Sequence, residues 1–224
     1  MNTSVVHRYP SVWLIRHGQT DSNAGGVLQG HLPTALNDLG RRQAVRLAER
    51  LGGVRPPLDA LVSSDLLRAL ETAQPIAKAL GLALVQDRAW RERGFGALEG
   101  QTLGEIDIWR AASGAVDPPG GESGADFERR VVRALVDVVT VHRGRDAIGV
   151  VTHGGPMRMV LSLLETGRLV LAPGHEAPSV AAIANASILR LAVEPGRPDG
   201  LAWRVLAVND VAHLDGLVTA TDAG

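Results

Sequence analysis

The chain has 224 residues, a formal net charge of −1 and no cysteine. Disulfides, thiolate metal sites and a cysteine nucleophile are therefore excluded, and a globally basic surface for nucleic acid is not expected. No apolar run approaches a membrane span, and residues 1–10 lack the apolar region of a signal peptide, so a cytoplasmic protein without membrane contact is expected. Its length suits one domain over 1–224 that buries its core unaided. With 45% hydrophobic residues but only two Phe and one Tyr, that core must be aliphatic. A cysteine-free chain also suits a reducing compartment.

After a loose lead-in, Val12–Ile15 reads as a first buried strand. Ala44, Leu47, Ala48 and Leu51 then share a helical face, followed by a strand at Ala60–Val62. Leu66, Leu70, Ala73, Ala77 and Leu80 form a second helical stripe before an apolar run at Leu82–Val85. The stretch Ala111–Gly124, rich in small residues, Gly and Pro, reads as a loop of the kind that often binds ligand. Ser123 with Asp126 is a capping-box signal for the longest stripe, Phe127, Val131, Ala134, Leu135 and Val138. Ile148–Val151 is a further strand, and Met157, Val160, Leu161 and Leu164 a further helix. Ile188–Val193 and Trp203–Val208 read as paired strands joined by the turn-rich Glu194–Gly200. Strands alternating with helices imply an α/β fold whose mostly parallel sheet is covered on both faces, with a helical insertion around residues 88–143.

The chemistry-bearing residues fall just beyond predicted strands. Arg16 and His17 follow the first, Ser63, Ser64 and Arg68 the second, Glu92 the third and His153 the fourth. That edge is where open α/β sheets bind ligands. The residue types suit a phosphate. Two guanidiniums can grip its oxygens and offset a monoester charge of roughly −2. Gly18, Gly154 and Gly155 let backbone come close, and free N–H groups opening the helix at Gly154 could face an anion. A neutral His can attack phosphorus and split one displacement into two. Glu92 could protonate the leaving oxygen and then deprotonate water, given a carboxyl kept protonated by burial or anionic neighbours. The second His would stabilise the equatorial oxygens.

Each residue alone has a plainer explanation. Arg16-His17 could be a loop pair, His153 a satisfied buried histidine, and Arg68 a partner of Glu71 or Asp65 on its helix. Glu92 lies in the charged run Asp87–Arg93, which would ordinarily be a solvated face. His7, His31, His142, His175 and His213 read as surface or structural. Joint placement is what lifts the first group above these readings.

The segment Leu14-Ile15-Arg16-His17-Gly18-Gln19-Thr20 resembles the signature of the histidine phosphatase superfamily, the phosphoglycerate-mutase-like family. The likeness continues in order through Asn23, Gln29-Gly30, Leu39–Ala44, Ser63–Ala69 with Thr72-Ala73, Glu92, Phe95–Gly100, Gly120–Ser123, Thr152–Gly155 and Asn185–Ser187. It implies a three-layer α/β/α sandwich with His17 as phosphoryl acceptor and Glu92 as proton donor and acceptor. By the same resemblance Arg16, Arg68 and His153 form the phosphate pocket. Asn23 and the backbone near Gln29, Gly30 and Gly154 then bind phosphate or substrate oxygens. It implies a small phosphomonoester substrate, no metal and no organic cofactor, and it is compatible with a homodimer.

Mutases of that family that resemble this chain carry a paired Arg and a Pro-rich triplet after the segment matching Trp109. Here Trp109 is followed by the single Arg110, and Pro118-Pro119 leads into Gly-Gly-Glu-Ser. Fewer cations should hold a second phosphate poorly, so water becomes the expected acceptor and a phosphatase is favoured over a mutase. Sugar-linked phosphoglycerates, ribazole phosphate and broad specificity stay open as substrates. Two rivals are a non-catalytic phospholigand-binding module and a metal-dependent hydrolase. The chain keeps both His, both Arg and the Glu, and it lacks H-E-x-x-H spacing.

Overall fold

The computed structural model describes residues 9–176, 183–195 and 200–217. The lead-in with His7 and most of the turn within Glu194–Gly200 lie outside the described residues. Six strands, β1 (Ser11–Arg16), β2 (Ala60–Ser63), β3 (Leu84–Gln86), β4 (Ala147–Thr152), β5 (Ile188–Pro195) and β6 (Leu201–Asp210), form one sheet in the order β3-β2-β4-β1-β5-β6. The first four are mutually parallel, and β5 pairs antiparallel with both β1 and β6.

Both faces of the sheet are covered, and the period of two along a strand decides which residue goes where. Trp13 and Ile15 of β1 pack with Leu47 and Leu51 of α2 (Asp38–Gly52) and Ala73 and Ile76 of α3 (Leu67–Leu80). Val12 and Leu14 face the other way, onto Val131 and Leu135 of α5 (Gly124–Val141) and Met157 and Leu161 of α6 (Gly154–Glu165). This is the expected three-layer α/β/α sandwich. Its central strands read as unbroken apolar runs because neither face meets water. Among the described residues no helix is long and apolar enough to cross a membrane.

Three boundaries differ from the sequence reading. The third strand begins at Leu84, because Leu82 N–H donates to Ala77 O and Gly81 sits in the left-handed region, so Leu82 completes the end of α3. The predicted loop from Ala111 starts only at Gly114. Before it runs α4 (Leu103–Ser113), which buries only Ile106 and so has no apolar stripe. Its start is instead fixed locally, by a capping box between Thr102 and Glu105. At α5 the Ser123 hydroxyl accepts from Asp126 N–H, but its own proton goes to the Asp126 carboxylate, so only half of the anticipated box forms.

The turn after β1, which leads into the short helix α1 (Asp21–Ala24), is pressed against the first turn of α2. Asn37 N–H donates to Gln19 O at 3.0 Å, and Gln19 N–H to Gln43 Oε1 at 2.8 Å. The approach is so close that a Cβ on Gly40 would meet Gln19 O at 2.0 Å, whereas one on Gly52 would meet nothing within 4 Å. Alanine gains about 1 kcal/mol over glycine in a helix, while overpacking against fixed backbone costs ~1–3 kcal/mol. Gly40→Ala is therefore expected to lower stability in denaturant melts by up to roughly 2 kcal/mol net, and Gly52→Ala to leave it unchanged or raise it. Equal effects of the two would show that the turn after β1 is not held by this contact.

Candidate active site

Parallel pairing of β1 with β4 places Arg16 opposite Thr152. The next residues of the two strands are then neighbours, and His17 N–H donates to Thr152 O at 2.9 Å. The rings of His17 and His153 lie 5.1 Å apart between centroids, both buried. His17 Nδ1 donates to Gly18 O at 2.7 Å, while Arg68 Nε donates to Nε2 at 3.2 Å. A proton on Nδ1 and a lone pair on Nε2 satisfy both contacts. Burial first, and then the charges of Arg68 and Arg16, hold the His17 pKa well below the ordinary imidazole value, so the ring is neutral. The turn that sets its orientation is pinned in turn: Gly18 N–H donates to Thr72 Oγ1, and Asn185 Nδ2 donates to the carbonyls of His17 and Gly18.

The two arginines flank that ring. Arg68 makes neither helical ion pair that its sequence allowed. Besides His17 it donates to the carbonyls of Gly30 and Leu32 and to Thr34 Oγ1, while Asp65 pairs with Arg91. Arg16 donates through Nη1 to Ile183 O, and its Nε has no partner among the described residues. Burial lowers both guanidiniums to about 10, which leaves them charged at neutral pH. His153 Nε2 meets Ser64 Oγ at 2.8 Å, and its buried Nδ1 likewise lacks a partner among the described residues. An oxyanion seated beside His17 would supply the acceptor that Arg16 Nε needs and would meet His153 Nδ1 if that nitrogen carries the proton.

Asn23 turns its Oδ1 inward to Thr20 and Asn185, so that atom braces the fold. Gln29 Oε1 likewise accepts from Thr20 and Thr34. Both residues still line the cavity, as does Gly30, whose carbonyl holds Arg68. Gly155, rather than Gly154, lines it at the start of α6. Gly155 N–H donates to Glu92 Oε2 at 3.0 Å, and the carboxylate lies so near that a Cβ there would fall 1.8 Å from Glu92 Oε1.

Glu92 is thus a cavity residue rather than part of a solvated face. The side chains that place it are ones the sequence did not single out, since each is unremarkable alone. His31 Nε2 lies 2.8 Å from Glu92 O, which gives this exposed histidine the structural part of its surface-or-structural reading. Arg130 of α5 donates to the carbonyls of Ala89, Arg91 and Glu92 and forms a bidentate pair with Glu122. The Gly-Gly-Glu-Ser segment contributes through that Glu122 pair, which buckles the Glu92 segment to α5.

The cavity holds about 640 Å³ and is lined at its inner end by Arg16, His17, Arg68 and Glu92. Val27, Leu28, Phe95, Leu103 and Met159 give it apolar walls. Arg93, Arg110 and Arg158 also line it, so it carries more cations than the sequence reading assumed. Arg93 is paired with Asp117 at 2.6 Å, and Arg110 lies 3.7 Å from Asp107. Arg158 forms no ion pair or hydrogen bond among the described residues.

Residues 12–206 match the model of the histidine phosphatase superfamily (branch 1). The chain is 38% identical to phosphoglycerate mutase-like protein 4 of Arabidopsis thaliana over 92% of this chain and 88% of that one. It is 36% identical to glucosyl-3-phosphoglycerate phosphatase of Mycobacterium tuberculosis over 90% and 95% of the two chains. The solved structure of a mycobacterial glucosyl-3-phosphoglycerate phosphatase complexed with VO3 superposes with a TM-score of 0.74 at 32% identity, covering 90% of this chain and 100% of that one.

Removing the buckle should loosen the carboxylate without touching it. Arg130→Met is expected to cost about 1–3 kcal/mol of stability through unpaired carbonyls and Glu122. With Glu92 in the acid–base role expected of it from the sequence, turnover should drop about tenfold or more through its misplacement, with partial recovery in Arg130→Lys. Full turnover in a well-folded Arg130→Met protein would show that Glu92 is positioned by other contacts.

Proposed function

The chain belongs to the histidine phosphatase superfamily (branch 1) as a phosphoric monoester hydrolase, and we propose that it cleaves a small phosphorylated metabolite through a phosphohistidine on His17. The observation that carries this is the state of one ring: His17 is buried, neutral and oriented by Gly18 O, with its unprotonated Nε2 held by Arg68 Nε–H in a cavity that Arg16 and Glu92 also line.

In the first half-reaction Nε2 attacks phosphorus, the P–O ester bond breaks, and the leaving oxygen takes a proton from Glu92. For that attack Arg68 Nε must already have moved, as substrate binds, from the lone pair it holds in the free enzyme to a phosphoryl oxygen. Arg16, Arg68 and His153 share the charge that develops on the equatorial oxygens. In the second half Glu92 accepts a proton from water, which attacks phosphorus and breaks the P–N bond; inorganic phosphate leaves and the imidazole is restored. Glu92 is held by backbone N–H groups of Arg93 and Gly155, which fixes the carboxylate at the mouth of the phosphate site.

Among the substrates left open by the sequence, a sugar-linked phosphoglycerate is supported best, through the mycobacterial relatives that carry that name. The additional cations and the mutase-like relative favour a second reading, phosphoryl transfer back to a phosphoglycerate. Release of inorganic phosphate without isomerisation separates the two. We also assign the protein to the cytoplasm, in keeping with its lack of cysteine, and a homodimer remains compatible with the proposal.

Glu92→Gln tests the acid–base role. General acid–base catalysis contributes about 10²–10⁴-fold. Turnover of alkyl phosphates, whose leaving groups need a proton, should fall by that order, while hydrolysis of p-nitrophenyl phosphate falls far less. Equal losses on both esters would remove Glu92 from the role.

A further inference from the structure

Three of the arginines around the cavity have no place in the transfer itself, and they differ in what neutralises them. Arg93 is paired with Asp117 and donates to Glu122 O. Arg110 stands near Asp107 on its own helix. Arg158, in the second turn of α6, has no ion pair or hydrogen-bond acceptor among the described residues, yet it lines the cavity beside Gly155, Met159 and Ser162. Its side chain leans back towards the start of its helix, as helical side chains do. The guanidinium ends up packed over Gly154: a Cβ built on Gly154 would lie 3.0 Å from its Nη1. It is also close enough to Arg16 that its charge helps to lower the Arg16 pKa.

Two like charges held beside one cavity repel each other until an anion joins them. The phosphoryl group accounts for Arg16, which with Arg68 already matches a monoester dianion. With Glu92 carrying the proton that it gives to the leaving oxygen, Arg158 is then surplus by one positive charge. A carboxylate fits it in both charge and shape, because a planar guanidinium donates two parallel N–H bonds to a carboxylate. A second phosphate would instead leave excess negative charge on a single guanidinium.

Building on the phosphatase reading, we propose that Arg158 is the specificity-determining residue of this cavity. It binds a carboxylate carried a few bonds from the ester oxygen, so that monoesters of hydroxy acids are taken in preference to uncharged monoesters. It makes no contact with the reacting atoms. Its effect is expected in KM more than in kcat, because the pairing is the same in the ground state and the transition state.

A matched pair of esters tests this, since 3-phosphoglycerate and glycerol 3-phosphate differ by a carboxylate in place of a hydroxymethyl group. Unsubstituted enzyme should prefer 3-phosphoglycerate. Arg158→Met should lose about tenfold or more in kcat/KM on 3-phosphoglycerate, the usual effect of deleting one partner of a charged hydrogen bond, mainly by a rise in KM. On glycerol 3-phosphate the loss should be several-fold smaller, because there only the longer-range attraction of the guanidinium for the phosphoryl dianion is removed. Arg158→Lys should keep part of the preference. Arg158 is exposed at the cavity mouth, so the fold does not depend on it. Equal losses on the two esters would show that Arg158 grips the transferring phosphoryl group and would overturn the proposal, as would an unchanged preference in Arg158→Met or no preference in the unsubstituted enzyme. Absence of phosphate release by the unsubstituted enzyme from both esters and from p-nitrophenyl phosphate would instead remove the phosphatase reading, and this inference with it.

Discussion

One imidazole, gripped at both of its nitrogens, governs this molecule. Nδ1 of His17 gives its proton to the carbonyl of the next residue, and Nε2 is left as a lone pair against the guanidinium of Arg68. Neither contact is strong alone. Together they fix the tautomer and aim the nitrogen, and the buried cations on either side keep it unprotonated. A buried ring of this kind is unfavourable to charge, and that is what a nucleophile facing a phosphate dianion requires.

Much of the surrounding architecture serves that ring. Parallel pairing of two central strands sets the two histidines side by side. The N-terminal turn of α2 presses on the segment after His17, and Thr72 of α3 and Asn185 before β5 tie its backbone from either side. A separate set of contacts from α5 and the His31 loop carries Glu92 in over the opening. The proposed nucleophile and the proposed acid thus hang from different layers of the sandwich. The outer cavity is cationic beyond what the transferring group needs, and the free charge sits on α6, the helix that starts from His153.

The parts legible in the sequence were those with a local signature. Strand runs in a doubly covered sheet are continuous and apolar, so Val12–Ile15 and Ile148–Val151 stood out, and with them the residues that follow at the strand ends. Less legible was anything whose meaning lies in a distant partner. In the sequence Arg130 is one more charge on an amphipathic helix; in three dimensions its guanidinium meets three carbonyls of a segment some 40 residues earlier. His31 was a lone histidine in a loop, and its contact with Glu92 O spans 61 positions. Helix α4 escaped because its buried surface is a single side chain, which leaves no periodicity to detect. In the sequence Arg158 is like any exposed arginine; what sets it apart is its place in the cavity lining without an ion pair among the described residues.

The most direct measurement is to quench the enzyme with alkali during turnover of p-nitrophenyl phosphate and to map the phosphoryl group by mass spectrometry. A phosphohistidine survives alkali and is lost in acid, and the account places it on residue 17 alone, absent from a His17→Ala protein. A phosphoryl group on any other residue, or equal labelling of the substituted protein, would contradict it.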